Sequence, residues 1–97
     1  MGILEDVDSI VLSDLFTDIF NVKSDKPGWI RRVTIVMLRL DQHEKYIMYC
    51  RFTEGWSIET IAKRKHDTVK DTEQFIEDAI GKLKRSSKRL GVFKKYL

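Results

Sequence analysis

The sequence predicts a small all-α protein, a bundle of about five helices, and three observations support that prediction. Apolar residues recur every three to four positions along most of the chain, which is the spacing of one helical face. Residues able to cap a helix precede three of these stretches, and no pair of strands joined by a tight turn occurs. At 97 residues, 42% hydrophobic and 34% charged, the chain can form one compact core and is too apolar for a disordered segment.

The first predicted helix covers residues 4–20, and a loop over residues 21–28 follows it. Pro27 and Gly28 favour the loop, because proline lacks an N–H donor and glycine leaves the backbone unrestrained. Residues 1–28 therefore form a first unit, an acidic N-terminal helix and loop. The apolar positions that recur along this helix are Val7, Ile10, Val11, Leu15, Ile19 and Phe20.

The middle of the chain predicts two helices, over residues 29–40 and residues 42–52. The first is so dense in apolar and β-branched side chains that its pattern also fits a buried strand, and helix is favoured because the chain continues as one. Before the second, Asp41 and Glu44 stand three residues apart, which is the spacing of a capping box. Gly55 suits a left-handed helix end after it.

Two further helices are predicted, over residues 58–65 and from Thr68 to about residue 88. Ser57 precedes the first as a helix cap, and Thr68 with Asp71 repeats the capping signal before the second. The residues predicted to line the inner face of the last helix are Phe75, Ile76, Ala79, Ile80 and Leu83.

The connection between these two helices has the length found in a helix-turn-helix. His66 and Asp67 form the turn, and the small side chain of Ala62 allows the two helices to cross closely. The pattern predicts a helix-turn-helix domain over residues 29–88, followed by a basic C-terminal tail over residues 89–97.

Charge is divided unevenly between the two ends of the chain, although the formal net charge is only +3. Residues 1–22 carry acids and no base, and residues 82–97 carry bases and no acid. A dense basic end can bind phosphates in a salt-dependent way, but cations at a helix C-terminus also favour the helix dipole. Both interpretations are open for Lys82, Lys84, Arg85, Lys88, Arg89, Lys94 and Lys95.

Residues 38–85 follow a pattern of residue types that helix spacing alone does not require. Its members are Leu40, Glu44, Lys45, Ile47, Arg51, Phe52, Gly55, Ser57, Ile61, Ala62, Thr68, Ala79, Ile80, Lys82 and Leu83. In this order, without a gap, they resemble the fourth region of bacterial sigma factors and the phage regulators built on the same module. The resemblance implies a transcription regulator that binds duplex DNA, with bacterial RNA polymerase core or a sigma factor as protein partner.

The chain departs from that family at the turn and on the last helix. The turn lacks the family's usual glycine. The family's promoter-reading positions fall on Val69, Lys70, Glu73 and Gln74, of which only Gln74 keeps a residue type common there. The same helix carries further acids, Asp71, Glu77 and Asp78, which would repel phosphates.

The candidate DNA contacts lie on both helices of the predicted helix-turn-helix. Lys70 and Gln74 have donors that can pair with guanine and adenine edges, and Thr68 suits either a phosphate contact or a plain helix cap. The basic residues are candidates for phosphate contacts, and an ordinary solvated face is the alternative for every position. The full set is Lys63, Arg64, Thr68, Val69, Lys70, Glu73, Gln74, Lys84, Arg85 and Lys88.

A second hypothesis keeps the protein partner and omits the DNA. The chain would then be an adaptor that docks on RNA polymerase or a sigma factor through its apolar helices and residues 93–97. The acids on the last helix favour this hypothesis, and the basic end favours DNA. The residues leave open whether the chain forms a homodimer.

Other classes of function lack support in the sequence. There is no nucleophile with a base and an orienting partner, and no glycine-rich phosphate loop, so we expect neither an enzyme nor a cofactor. His43, His66 and Cys50 do not have the spacing of a metal site. The acidic start, the single cysteine and the lack of a long apolar run predict a cytoplasmic protein without a membrane span. Trp29 and Trp56 are predicted to be packing residues, with a role as partner anchors as the alternative.

Overall fold

The computed structural model describes residues 10–93, and within that range the protein is a bundle of five α-helices and one π-helical turn. No strand occurs in the described range, which confirms the all-α class and makes the strand alternative for residues 29–40 wrong. None of these helices is long and apolar enough to cross a membrane. The elements are α1 (Leu12–Phe20), α2 (Pro27–Met37), α3 (Gln42–Met48), the π turn (Tyr49–Thr53), α4 (Ile58–Lys65) and α5 (Val69–Leu90).

The first two helices begin at residues other than those predicted. α1 begins at Leu12. The preceding residue, Val11, has an extended backbone, with φ −80° and ψ 114°. The predicted start at Leu4 lies outside the described residues. α1 ends at Phe20, and its C-cap residue Asn21 has a left-handed φ of 56°. α2 begins at Pro27, so the assignment of Pro27 to the loop is wrong. The fixed φ and the missing N–H donor of proline suit the first position of a helix.

The helix predicted over residues 42–52 is α-helical for its first seven residues and then widens into the π turn. Both bonds of the predicted capping box form: the Glu44 N–H donates to Asp41 Oδ1 at 2.7 Å, and the Asp41 N–H donates to Glu44 Oε1 at 2.9 Å. At the far end, the Glu54 N–H donates to the Tyr49 carbonyl oxygen at 3.0 Å. A bond across five residues is the π-helical spacing, which periodicity of apolar residues does not reveal.

The core connects the N-terminal helices with the end of α5. Trp29 on α2 is 1% exposed, and its Nε1–H donates to the Val92 carbonyl oxygen at 3.1 Å. The buried Phe16 of α1 meets the Trp29 ring edge-on, with 5.9 Å between the ring centroids. Trp29 is therefore a packing residue, as predicted, and Trp56 is half-buried. Other buried core residues are Leu15, Val33, Val36, Met37, Met48, Ile61, Ala79 and Leu83.

α5 is the longest described element and packs against α2, α3 and α4. Its predicted inner face is confirmed, because Ile76, Ala79 and Leu83 are buried and the other two predicted positions are half-buried. The last helical residue, Leu90, lies two residues beyond the predicted end, and the C-cap residue Gly91 has a left-handed φ of 68°. This single helix of 22 residues therefore carries most of the candidate DNA contacts.

Candidate nucleic-acid interface

The turn between α4 and α5 closes without a glycine. His66 takes the left-handed conformation, with φ 58° and ψ 47°. The Asp67 N–H donates to the Ala62 carbonyl oxygen at 2.9 Å, and the Asp67 carboxylate accepts from the Thr68 N–H, also at 2.9 Å. Ala62 itself is 2% exposed, as its predicted place between two helices requires. Side-chain and main-chain bonds thus hold a turn that in other proteins often uses glycine.

Two predicted caps orient the helices on either side of this turn. Ser57 Oγ accepts from the Thr60 N–H at 3.1 Å, and Thr68 Oγ1 accepts from the Asp71 N–H at 3.0 Å. The capping role predicted for Thr68 is therefore confirmed. Thr68 is also exposed at the start of α5.

The first turns of α5 present the four predicted reading positions to solvent. Their positions, Val69, Lys70, Glu73 and Gln74, are all exposed, whereas Thr72 between them is buried. This alternation follows from the helix period, since residues about half a turn apart lie on opposite faces. The sequence prediction of an outward reading face is consistent with these exposures.

The Gln74 side chain is engaged within its own helix. One Nε2–H donates to Asp78 Oδ1 at 2.8 Å, which leaves the second N–H and the amide oxygen for an adenine edge. Asp78 is exposed, as are Asp71 and Glu77. The bond to Asp78 restrains the Gln74 side chain, and a bidentate contact with adenine would have to form from this orientation or displace it.

The basic residues of α4 differ in how freely they extend. Lys63 and Arg64 are both exposed. The Arg64 guanidinium lies over the Trp56 ring, with its carbon 4.9 Å from the centroid, in a cation–π contact. Lys65 is 12% exposed at the side chain, and its Nζ lies 3.9 Å from the Phe75 ring centroid. Lys63 and Arg64 therefore remain available for phosphate contacts, and Lys65 is part of the packing.

The basic end of α5 forms a separate surface. Lys84, Arg85 and Lys88 are exposed, and the Arg85 guanidinium lies across Gly81, with Nη1 3.4 Å from where a Cβ on Gly81 would be. With a rise of about 1.5 Å per residue, this surface begins roughly 21 Å along the axis from Lys70. The candidate contacts thus divide into two groups at opposite ends of one helix.

One basic residue of the C-terminal segment has a structural partner that the sequence analysis missed. Lys82 Nζ lies 2.8 Å from Glu44 Oε2, which joins α5 to the capping box of α3. The Glu44 side chain is only 9% exposed, so this pair is shielded from solvent on one side. The sequence analysis assigned Glu44 to the capping box and to the family pattern, and neither signal indicated its pairing with Lys82.

Within residues 10–93 no group of three or more His, Cys, Asp or Glu side chains could hold a metal ion. No family model, curated protein or solved structure matches this chain. The resemblance to sigma region 4 and the DNA-contact residues derived from it therefore stay predictions.

Proposed function

We propose that this protein is a transcription regulator that binds duplex DNA through α4, the following turn and α5, with bacterial RNA polymerase or a sigma factor as its protein partner. The observation that carries the proposal is the exposure of the candidate DNA contacts. All ten are exposed, whereas Ala62 and Thr72, which are near them in the sequence but are not candidates, are buried. An interface for a large ligand requires exposed side chains on well-ordered helices, and these residues supply one group near the turn and a second group at the end of α5.

The proposed contacts are of two kinds: phosphate contacts, which position the protein on DNA, and base contacts, which read its sequence. Lys63 and Arg64 would bind phosphates from α4, and the basic end of α5 would add sequence-independent affinity. Lys70 and Gln74 would contact base edges from the front of α5. The polymerase partner comes from the family resemblance and not from a surface feature of this chain.

A second candidate function, an adaptor that docks on polymerase or a sigma factor without DNA, is favoured by the acids at the front of α5. Asp71, Glu77 and Asp78 are exposed, and Asp78 accepts a hydrogen bond from the Gln74 amide. Carboxylates near phosphates are repulsive, particularly at low salt. The variant Asp78→Ala separates the two candidates, because it should strengthen DNA binding a few-fold and leave an adaptor contact elsewhere unchanged.

The decisive experiment is a titration of fluorescently labelled duplex DNA at about 50 and 200 mM salt, with and without polymerase core. DNA binding predicts a dissociation constant that rises steeply with salt, by about 0.9 logarithmic units per phosphate contact for each tenfold increase in salt concentration. Absence of binding at the lower salt would remove the DNA proposal. Capture of polymerase core by the DNA-free protein would then support the adaptor.

A further inference from the structure

A small pocket between α3, the π turn and α4 has no role in either proposed function, although one of its lining residues, Arg64, is also a proposed phosphate contact. Its volume is about 180 Å³. Its floor is formed by buried side chains, since Ile47 is 4%, Cys50 2% and Ile61 1% exposed. The half-buried rings of Tyr46 and Trp56 line it as well. An apolar cavity of about 150 Å³ accepts a benzene molecule, so this pocket has room for one six-membered ring.

The π turn contributes directly to this space. Cys50 lies on the π turn, and the Trp56 N–H donates to the Cys50 carbonyl oxygen at 2.9 Å, which folds the chain back beside the pocket. π-Helical turns are found frequently at functional sites. The pocket therefore depends on the one described element that departs from regular α-helical geometry.

The charged residues that line the pocket are basic. Arg64 and Lys65 line it together with His43, and no carboxylate of residues 10–93 does. Lys65 is 12% exposed at the side chain, and its Nζ forms an ion pair with the Asp67 carboxylate at 3.7 Å, which is longer than a hydrogen bond, and lies 3.9 Å from the Phe75 ring centroid. A buried cation gains most from an anion that makes a charge-assisted hydrogen bond with it.

We propose that this pocket binds a small aromatic carboxylate, a single ring with one carboxylate group. The ring would lie against Tyr46 and Trp56 over Ile61, and the carboxylate would face Arg64 and Lys65. Apolar walls with a few convergent polar groups are the usual composition of a small-molecule site. This inference does not depend on DNA binding.

The test is a titration of the full ¹⁵N-labelled chain with sodium benzoate at constant ionic strength, followed by amide and indole chemical shifts. We expect saturable shifts confined to residues around the pocket, including the Trp56 indole. Acetate lacks the ring and should give no saturable shift, and benzyl alcohol lacks the charge and should bind at least about fivefold more weakly. Equal affinity for benzyl alcohol and benzoate, or benzoate shifts spread over the whole surface, would overturn the proposal.

Two variants link binding to the named residues. Arg64→Gln should weaken benzoate binding about three- to tenfold, and Arg85→Gln, which removes the same charge from the far end of α5, should not change it. Cys50→Met should fill the floor and reduce binding at least about tenfold. A thermal melt checks that the Cys50 variant is folded. Since Arg64 is exposed, its variant tests the proposal even if the other does not fold, and unchanged benzoate affinity in Arg64→Gln would refute it.

Discussion

The two halves of α5 carry opposite charges on one continuous helix. Residues 69–78 hold one lysine and four acids, and residues 79–90 hold five bases and no acid. Acids near the start and bases near the end both favour the helix dipole, so helix stability alone accounts for part of this arrangement. We call residues 69–78 the front half and residues 79–90 the rear half. The rear half attracts phosphates, and the front half, where base contacts are proposed, repels them.

The two halves are also held in different ways. The front half follows a short turn and packs on α4, where Lys65 lies against the Phe75 ring. The rear half is joined to α3 by the Lys82 to Glu44 pair and, beyond its end, to α2 by the bond from Trp29 to the Val92 carbonyl. The rear surface is therefore fixed by contacts distant in sequence, and the position of the front surface depends on the turn.

The largest effect should follow from removing the rear charges. Changing Lys84, Arg85, Lys88 and Arg89 to alanine should weaken binding to every duplex by about two orders of magnitude at low salt, and each lost phosphate contact should lower the logarithmic salt slope by about 0.9. Salt-dependent anisotropy titrations measure both. Alanine at Lys23 and Lys26, exposed bases in and beside the α1–α2 loop, is the control and should have little effect. Equal losses in the two variants would mean that net charge, and not this surface, binds DNA.

The support of the front half can be tested by Ala62→Leu. A large side chain at this buried crossing should destabilise the fold by about 1–3 kcal/mol, because overpacking forces the helices apart. Chemical denaturation measures the change, and Lys63→Leu at the exposed neighbouring position is the control. If the free energy of unfolding stays at its wild-type value, α4 and α5 do not cross at Ala62.

The front half should determine specificity and not overall affinity. Alanine at Lys70 and at Gln74 should each reduce discrimination between a preferred site and random DNA, by roughly 1–3 kcal/mol for a good bidentate contact. The Gln74 variant should leave the salt slope nearly unchanged because no charge is removed. Competition titrations with the two DNAs measure the ratio. Unaltered discrimination in both variants would show that the front half does not read bases.

The smallest effect is expected in the turn itself. His66→Gly should stabilise the protein by up to about 1 kcal/mol, because a left-handed backbone is strained for residues other than glycine. The larger backbone entropy of glycine in the unfolded chain offsets part of this gain. A thermal melt decides the sign. A clearly lower midpoint would reveal a side-chain contact of His66 that the turn needs.

Local features of this fold were predictable because they depend on residues close together in the chain. The capping box at Asp41 and the caps at Ser57 and Thr68 each require a donor and an acceptor three residues apart, and all three form. The buried face of α5 was likewise predictable from the helix period. The same locality explains the error at Pro27, since proline suits both a loop and the first position of a helix.

By itself, then, the sequence determined the helix content, the caps and the separation of charge along α5. Only the tertiary structure decided which polar side chains pair with residues distant in sequence and where a pocket forms. The partners Glu44 and Lys82 are 38 residues apart, and Trp29 is 63 residues from Val92. The pocket beside the π turn combines side chains from three elements. Such pairings depend on how helices pack, and the spacing of residues within one helix does not specify which other helices pack against it.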